Sequence, residues 1–284
     1  MNPRFGIAVT TRNRAAVLAH TLKQIHAHTL EPYRLVVVND ASEDDTARVL
    51  EEAAAQYPSL TVISSSERLG APKAKNLGLQ ALAGCDIFFL FDDDCYPLRS
   101  GWATLYAEAI AGTGIQHFNF NDTRRHRLLK RIPKGAFTIG EFEPPGGVFM
   151  VLTAEVIAKV GAFSERYGLY GFWHDTYTTR CYRAGLHAGF GRNLSLLDAD
   201  DYFLALDYRP EDGPFPDMIR PQGFQSSVTQ EEARRSVRRN AGIAARDRKH
   251  GPIYLPFEGQ PTEEPKLAWW ERWIPGALSR KNPG

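Results

Sequence analysis

Three consecutive carboxylates, Asp92, Asp93 and Asp94, follow directly on an unbroken apolar run from Ile87 to Phe91. Such a run of β-favouring residues is the pattern of a strand buried on both faces of a parallel sheet. Asp is a poor strand former, and adjacent like charges repel. A hard divalent cation bound through oxygen relieves that repulsion, and the carboxyl end of a parallel strand is where open α/β sheets hold their ligands. A solvated acidic turn is the alternative for a lone Asp run. The buried strand that delivers this one points to a metal.

The elements around the triplet alternate. Phe5 to Thr11 reads as a strand ending in the polar Thr11-Arg12-Asn13-Arg14, and Ala15 to His28 carries helical spacing through Val17, Leu18, Leu22 and Ile25. Arg34 to Val38 is a second buried strand, ending in Asn39-Asp40. Ser42, with Asp45 three residues on, is expected to cap a helix running to Tyr57. A strand over Leu60 to Ile63 and a helix over Gly70 to Leu82 lead to the central strand. The expected fold is therefore α/β, a doubly wound and mostly parallel sheet flanked by helices. Thr11 to Asn13, Asp40 and the Asp triplet then share one rim of the sheet, where nucleotides bind at a switch in strand order. Asp40 suits a base N–H or a ribose hydroxyl, and it equally suits a turn cap. No G-x-G-x-x-G follows the first strand and no G-x-x-x-x-G-K-[ST] is present, so dinucleotide and P-loop sites have no support.

At 284 residues and 43% hydrophobic, the chain can bury a sizeable core, and a net charge of +1 exerts no global pull toward nucleic acid or membrane. Cys85, Cys95 and Cys181 are odd in number and lack metal-type spacing, which suits a reducing cytoplasm. The first apolar run is too short for a signal peptide, and no stretch reaches the roughly 20 apolar residues of a membrane span. A soluble, cytoplasmic protein is the expectation.

Taken together, Thr10-Thr11-Arg12-Asn13, Val36 to Ser42, Gly70 to Gly78 and Leu90 to Asp94 resemble the nucleotide-sugar half of GT-A-fold glycosyltransferases, above all the inverting family 2 type. The resemblance implies a nucleotide-sugar donor, with a UDP-sugar favoured, and a divalent Mn²⁺ or Mg²⁺ ion. It implies that Thr11, Arg12, Asn13 and Asp40 line the nucleoside pocket, and that Lys75 and Asn76 lie near the pyrophosphate. Asp92, Asp93 and Asp94 supply the D-x-D motif, Asp92 near ribose or metal and Asp94 on the metal.

The likeness continues past Gly146-Gly147, two glycines expected to open a strand where backbone approaches a ligand closely. Val160 to Asp175 resembles the family's acceptor-side segment, whose Asp is the catalytic base. That position is Asp175, and His174 stands where Glu is usual. His174 would assist the base, bind acceptor or replace the Glu's hydrogen bonds. Asp175 also reads as a helix N-cap, while Tyr170, Phe172 and Trp173 beside it suit a sugar platform or ordinary core. Many relatives add a late His to the metal. Here His187 is slightly early, with Asp198, Asp200 and Asp201 as substitutes, and the ligand stays open.

The resemblance implies an in-line, inverting displacement in which the metal offsets charge on the leaving diphosphate and a carboxylate takes the acceptor proton. Arg124 to Lys134, including Arg124, Arg125 and Arg127, is basic without an intervening acid, and reads as a loop suited to an anionic acceptor: a phosphate-bearing polymer, a lipid phosphate or nucleic acid. A solvated charged face explains it equally, as it does the basic helix expected over Arg234 to Lys249. The chain is divided into a catalytic part, 1–209, its halves meeting at residue 100, and an extension, 210–284. That extension comprises a Pro-rich connector, the basic helix and a Trp-rich segment, Trp269 to Trp273, suited to a subunit contact, to a membrane interface or to packing back on the catalytic domain. The same-fold alternative is a sugar nucleotidyltransferase, which opens with a Gly-rich, Arg- and Lys-containing loop that Thr10 to Arg14 lacks. A non-catalytic carbohydrate- or nucleic-acid-binding module is the other, and it leaves Asp92, Asp94 and Asp175 without purpose.

Overall fold

The computed structural model describes residues 3–123, 126–206 and 228–259. Strands β1 (Phe5–Thr11), β2 (Tyr33–Asp40), β3 (Leu60–Ser65) and β4 (Ile87–Asp92) alternate with helices α1 (Ala15–His28), α2 (Thr46–Gln56) and α3 (Ala71–Ala81). Then come β5 (Cys95–Pro97), α4 (Trp102–Thr113), β6 (His117–Asn119), β7 (Arg127–Lys134), β8 (Phe137–Glu143), β9 (Phe149–Thr153) and α5 (Ala154–Val160). Helix α6 (Trp173–Arg183), β10 (Leu194–Leu196), β11 (Phe203–Ala205) and α7 (Gln230–His250) complete the described elements.

The main sheet has six strands in the order β3-β2-β1-β4-β9-β6. The first four are parallel, and β9 runs antiparallel to both of its neighbours. The chain winds outward from β1 to β3, then crosses back to lay β4 on the other side of β1. This reversal opens a crevice at the carboxyl ends of β1 and β4. Register brings Thr10 opposite Val38 on one side and Asp92 on the other.

Both faces of β4 are covered, which explains its unbroken apolar sequence. Phe89 and Phe91 pack with Trp102, Tyr106 and Phe149 on one face, and Phe88 and Leu90 with Val156, Phe163 and Tyr177 on the other. Helix α7 closes the second face, with Ala244 in that cluster and Asn240 Nδ2 donating to the Tyr167 and Tyr170 carbonyls. A capping box at Thr229 and Glu232 starts the helix.

Three local expectations are corrected. Ser42 does not cap α2: its hydroxyl accepts from the Asn13 N–H, and Asp44 takes the Thr46 N–H at the helix start. Gly146 and Gly147 lie in the loop before β9 rather than opening it. The basic stretch is no loop from Arg127 onward, because it forms β7, the edge of a three-stranded antiparallel sheet with β8 and β10. Arg124, Arg125, the Pro-rich connector from Pro210 to Pro221 and the Trp-rich segment lie outside the described residues.

Candidate active site

The strand ends meet around a cavity of about 460 Å³, a size typical of small-ligand sites. Thr10, Thr11, Arg12, Arg14, Asp40, Arg68 and Gly70 line one side, and Asp92, Asp93 and Asp94 lie along its floor. Pro145, Gly147 and Val148, with Leu169 to Gly171, Trp173 and His174, face them. Of the positions expected to bind ligand, Thr11, Arg12, Asp40, the triplet, Gly147, Tyr170, Trp173 and His174 are thus brought together.

The triplet is built from unlike parts. Asp93 and Asp94 are almost wholly buried, while the Asp92 side chain is 32% exposed to the cavity. Arg14 donates to Asp93 and Asp94, and the Thr11 hydroxyl donates to Asp93 at 2.6 Å. Burial pushes the Asp93 carboxyl up, and Arg14 and Thr11 pull it back. Asp92 pairs with Lys75 at 2.7 Å. Lys75 is fully buried, and its ammonium also lies 5.4 Å from the Trp173 ring centre. It therefore serves Asp92 from beneath the floor instead of standing in the cavity wall.

Asp40 acts on backbone. Its carboxylate accepts from the Leu69 and Gly70 N–H groups, at 3.0 Å for Gly70, and so holds the turn that starts α3. A side chain at Gly70 would meet the Gly168 carbonyl at 2.6 Å, and φ there is +81°, so only glycine fits. Arg12 donates to the Asp40 and Ala41 carbonyls, and Asn13 Oδ1 accepts from the Glu43 N–H. Asn76 is away from the wall: its amide exchanges hydrogen bonds with Phe163 backbone and donates to Glu165.

On the facing side, α6 begins at Trp173 after Phe172 turns with φ +66°. His174 lies on the wall, held below its ordinary pKa by burial, although Asp175 and Asp92 oppose this. Asp175, 6% exposed, turns from the wall to Arg248 of α7 at 2.6 Å and Arg192 at 3.5 Å. Neither arginine was visible as a site residue in sequence, since both are distant in the chain. Arg14 was closer to legible, lying one helical turn past Thr11.

His187 is not a metal-site residue in this arrangement. Its ring packs 5.7 Å from His117 and bonds the Gly191 carbonyl at 2.9 Å, away from the cavity wall. Asp198 accepts from the Thr138 N–H at 2.7 Å. Among the described residues, no group of three or more His, Cys, Asp or Glu side chains gathers to hold a metal ion. The Asp92 and Asp94 carboxylates at the cavity still fit a hard cation that completes its shell with phosphate and water oxygens.

The model of the family described as glycosyl transferase family 2 matches residues 6–165, which run from β1 past α5 and include the entire acidic rim. The chain belongs to that family. This glycosyltransferase is 27% identical over 190 residues to an uncharacterised glycosyltransferase of Acanthamoeba polyphaga mimivirus, covering 63% of this chain and 73% of the relative. It is 25% identical to the uncharacterised glycosyltransferase YwdF of Bacillus subtilis (strain 168), over 93% of this chain and 91% of the relative. Solved structures share its fold. The mannosyltransferase PcManGT of Pyrobaculum calidifontis, in complex with GDP-Man and Mn²⁺, superposes with a TM-score of 0.53 at 19% identity, over 69% of this chain and 56% of that one. S. aureus TarS in complex with UDP gives 0.53 at 18% identity, over 71% and 60%. The chain thus spans little more than half of these structures. No helix among the described residues is long and apolar enough to cross a membrane.

Proposed function

We propose that this glycosyltransferase moves a sugar from a nucleoside-diphosphate sugar to an acceptor hydroxyl with inversion, using a divalent metal. The observation that carries the reading is the single cavity in which Asp40 and Thr11 face Trp173 and His174 across the acidic floor. Asp92 and Asp94 would hold the metal, which when bound supplies positive charge to offset the leaving diphosphate. Arg12 and Arg68 on the cavity side favour the same charge. The donor-bound neighbours support a nucleotide sugar and Mn²⁺, and because one holds GDP-Man and another UDP, they leave the base open.

Asp175 is the proposed base. It stands in the first turn of α6, one residue from the cavity wall, and its counter-ions Arg192 and Arg248 are themselves about one-third exposed. The carboxylate takes the acceptor proton as the new bond forms. An anionic acceptor is supported by β7, whose Arg127, Lys130, Arg131 and Lys134 are exposed along an edge strand and whose partner β8 runs into the Pro144 to Gly147 wall. Lysine on an edge strand also blocks unwanted pairing, so the acceptor reading needs kinetics. The test of the donor is thermal stabilisation by UDP- and GDP-sugars with and without Mn²⁺, since a ligand that binds the folded state raises its apparent stability. No stabilisation by any nucleotide sugar would refute the proposal.

A further inference from the structure

The loop between β8 and β9 forms the wall opposite Asp40, and two carbonyls in it each meet a different buried side chain. Asn121 Nδ2 donates to the Pro144 carbonyl at 3.0 Å, and Asn119 Nδ2 donates to the Gly146 carbonyl at 2.7 Å. Beside them, the His174 ring packs on the loop at Gly147. Loop carbonyls ordinarily face water. Here the two asparagines are at most 1% exposed, so each bond replaces water that has been excluded.

The clamp is itself anchored. Thr178 on α6 donates its hydroxyl to Asn119 Oδ1 at 3.1 Å and lies 3.0 Å from His117 Nε2, while His117 Nδ1 reaches the Val151 carbonyl on β9 at 2.9 Å. The loop is also pressed from both sides. A Cβ on Gly146 would lie 1.9 Å from the Phe120 carbonyl oxygen, and one on Gly147 would lie 2.8 Å from the His174 ring. Neither glycine tolerates a side chain while the clamp is closed.

We propose that Asn119, Asn121 and His174 are positioning residues that fix the Pro144–Gly147 wall, and with it the acceptor against the donor held across the cavity. The inference rests on the reading of the site given above. The His174 ring backs the loop, its Nδ1 buried without a partner against Gly147. The asparagines hold the loop by donation, so an Asp in place of either keeps the shape but, when ionised, has no N–H to give and turns an oxygen on the loop carbonyl.

The test uses hydrogen exchange of the 146–148 amides in the full chain, together with affinity for UDP and GDP in the presence of Mn²⁺. Asn121→Asp should speed exchange of these amides roughly tenfold, the size expected for losing one buried hydrogen bond, and Asn119→Asp should do the same. Thr178→Val against Thr178→Ser repeats the comparison with a smaller change, should the asparagine variants fail to fold. Nucleotide affinity should stay within about threefold of wild type, because the donor side is a separate wall. Unchanged exchange would overturn the clamp, as would faster exchange spread over β1 and β4, which marks general destabilisation. Loss of nucleotide affinity alongside loop protection would overturn the acceptor-side assignment. If neither nucleotide binds the wild type, the donor reading fails on its own, while the loop measurement still stands or falls on exchange.

Discussion

Arg14 holds Asp93 and Asp94 together through one nitrogen, its Nη1 lying 2.8 Å from a carboxylate oxygen of each. All three side chains are at most 5% exposed. A guanidinium between two buried carboxylates offsets the charge of Asp93 and Asp94 at the strand end, as Lys75 does for Asp92. Removing it leaves uncompensated charge in a dry site. Arg14→Ala is therefore expected to cost about 3–5 kcal/mol of stability, with Arg14→Lys intermediate. Urea unfolding measures this, and a loss below about 1 kcal/mol would mean that the triplet needs no resident cation.

Lys75 and Asp92 form the second ion pair of the floor, and their burial is unequal, 1% against 32% for the side chains. Asp92→Asn strands the buried ammonium, so it should destabilise the fold as well as abolish transfer and the Mn²⁺-dependent thermal shift. Pairing it with Lys75→Met removes the stranded charge. The double variant is expected to recover most of the stability and none of the activity. Recovery of transfer in the double variant would show that Asp92 serves only Lys75.

Asp175→Asn is expected to keep nucleotide affinity within a few-fold and to cut turnover by about 10²–10⁴, the usual contribution of a positioned base. The change is close to isosteric; Arg192 and Arg248 contact different carboxylate oxygens, so one of them keeps an acceptor in the amide oxygen and the other loses it. Steady-state kinetics with saturating donor decide the matter. Near wild-type turnover would show that a different group accepts the proton.

The rim was legible in sequence because it depends on short-range rules: a buried strand needs apolar residues, and the residues just past it are polar. Thr11, Asp40 and the triplet follow from this alone. What Lys75 and Asn76 do was not legible. Both are polar residues on α3, and only the packing of that helix decides that one reaches beneath Asp92 and the other ties down Phe163. Ser42 failed for a similar reason, since the adjacent Asp44 competes for the same cap and Asn13 claims the Ser42 hydroxyl. The partners of Asp175 come from 17 and 73 residues away by their numbers, 192 − 175 and 248 − 175, and no local pattern announces them.

Acidification should destabilise this protein well before its carboxylates protonate. Burial depresses His117 to about 3 and His187 to about 4. In the unfolded chain both titrate near the ordinary 6.5. Their neutral, buried form thus contributes stability that is complete above pH 6.5 and is lost as pH falls from there toward the folded values. His20 and His174 are lowered as well and act in the same direction. His117 and His187, both buried, each contribute a slope of at most about 1.4 kcal/mol per pH unit across that window. Unfolding free energy measured at pH 7 and pH 5 should fall accordingly, and His117→Asn should flatten the decline. A pH-independent stability over that range would show that the imidazoles are hydrated in the native state.

The exposed basic edge of β7 bears on the acceptor. Arg127 is already paired with Glu143 at 2.6 Å, and both are exposed, so its charge is partly satisfied. Lys130, Arg131 and Lys134 stand exposed on the same strand, and the descent of β8 toward Pro144 brings this edge into continuity with the acceptor wall. Neutralising Lys130, Arg131 and Lys134 together should raise the acceptor KM and leave donor affinity alone. Attraction between exposed charges is screened over about 8 Å at physiological salt, so the wild-type acceptor KM should itself rise with ionic strength. A nucleic-acid acceptor gives the steepest rise, because every neutralised phosphate adds to the salt slope. Kinetics at two salt concentrations, with an acceptor found by screening, separate the cases. A flat response in both wild type and variant would leave β7 as a strand whose lysines only prevent edge pairing, and would favour a neutral glycan as acceptor.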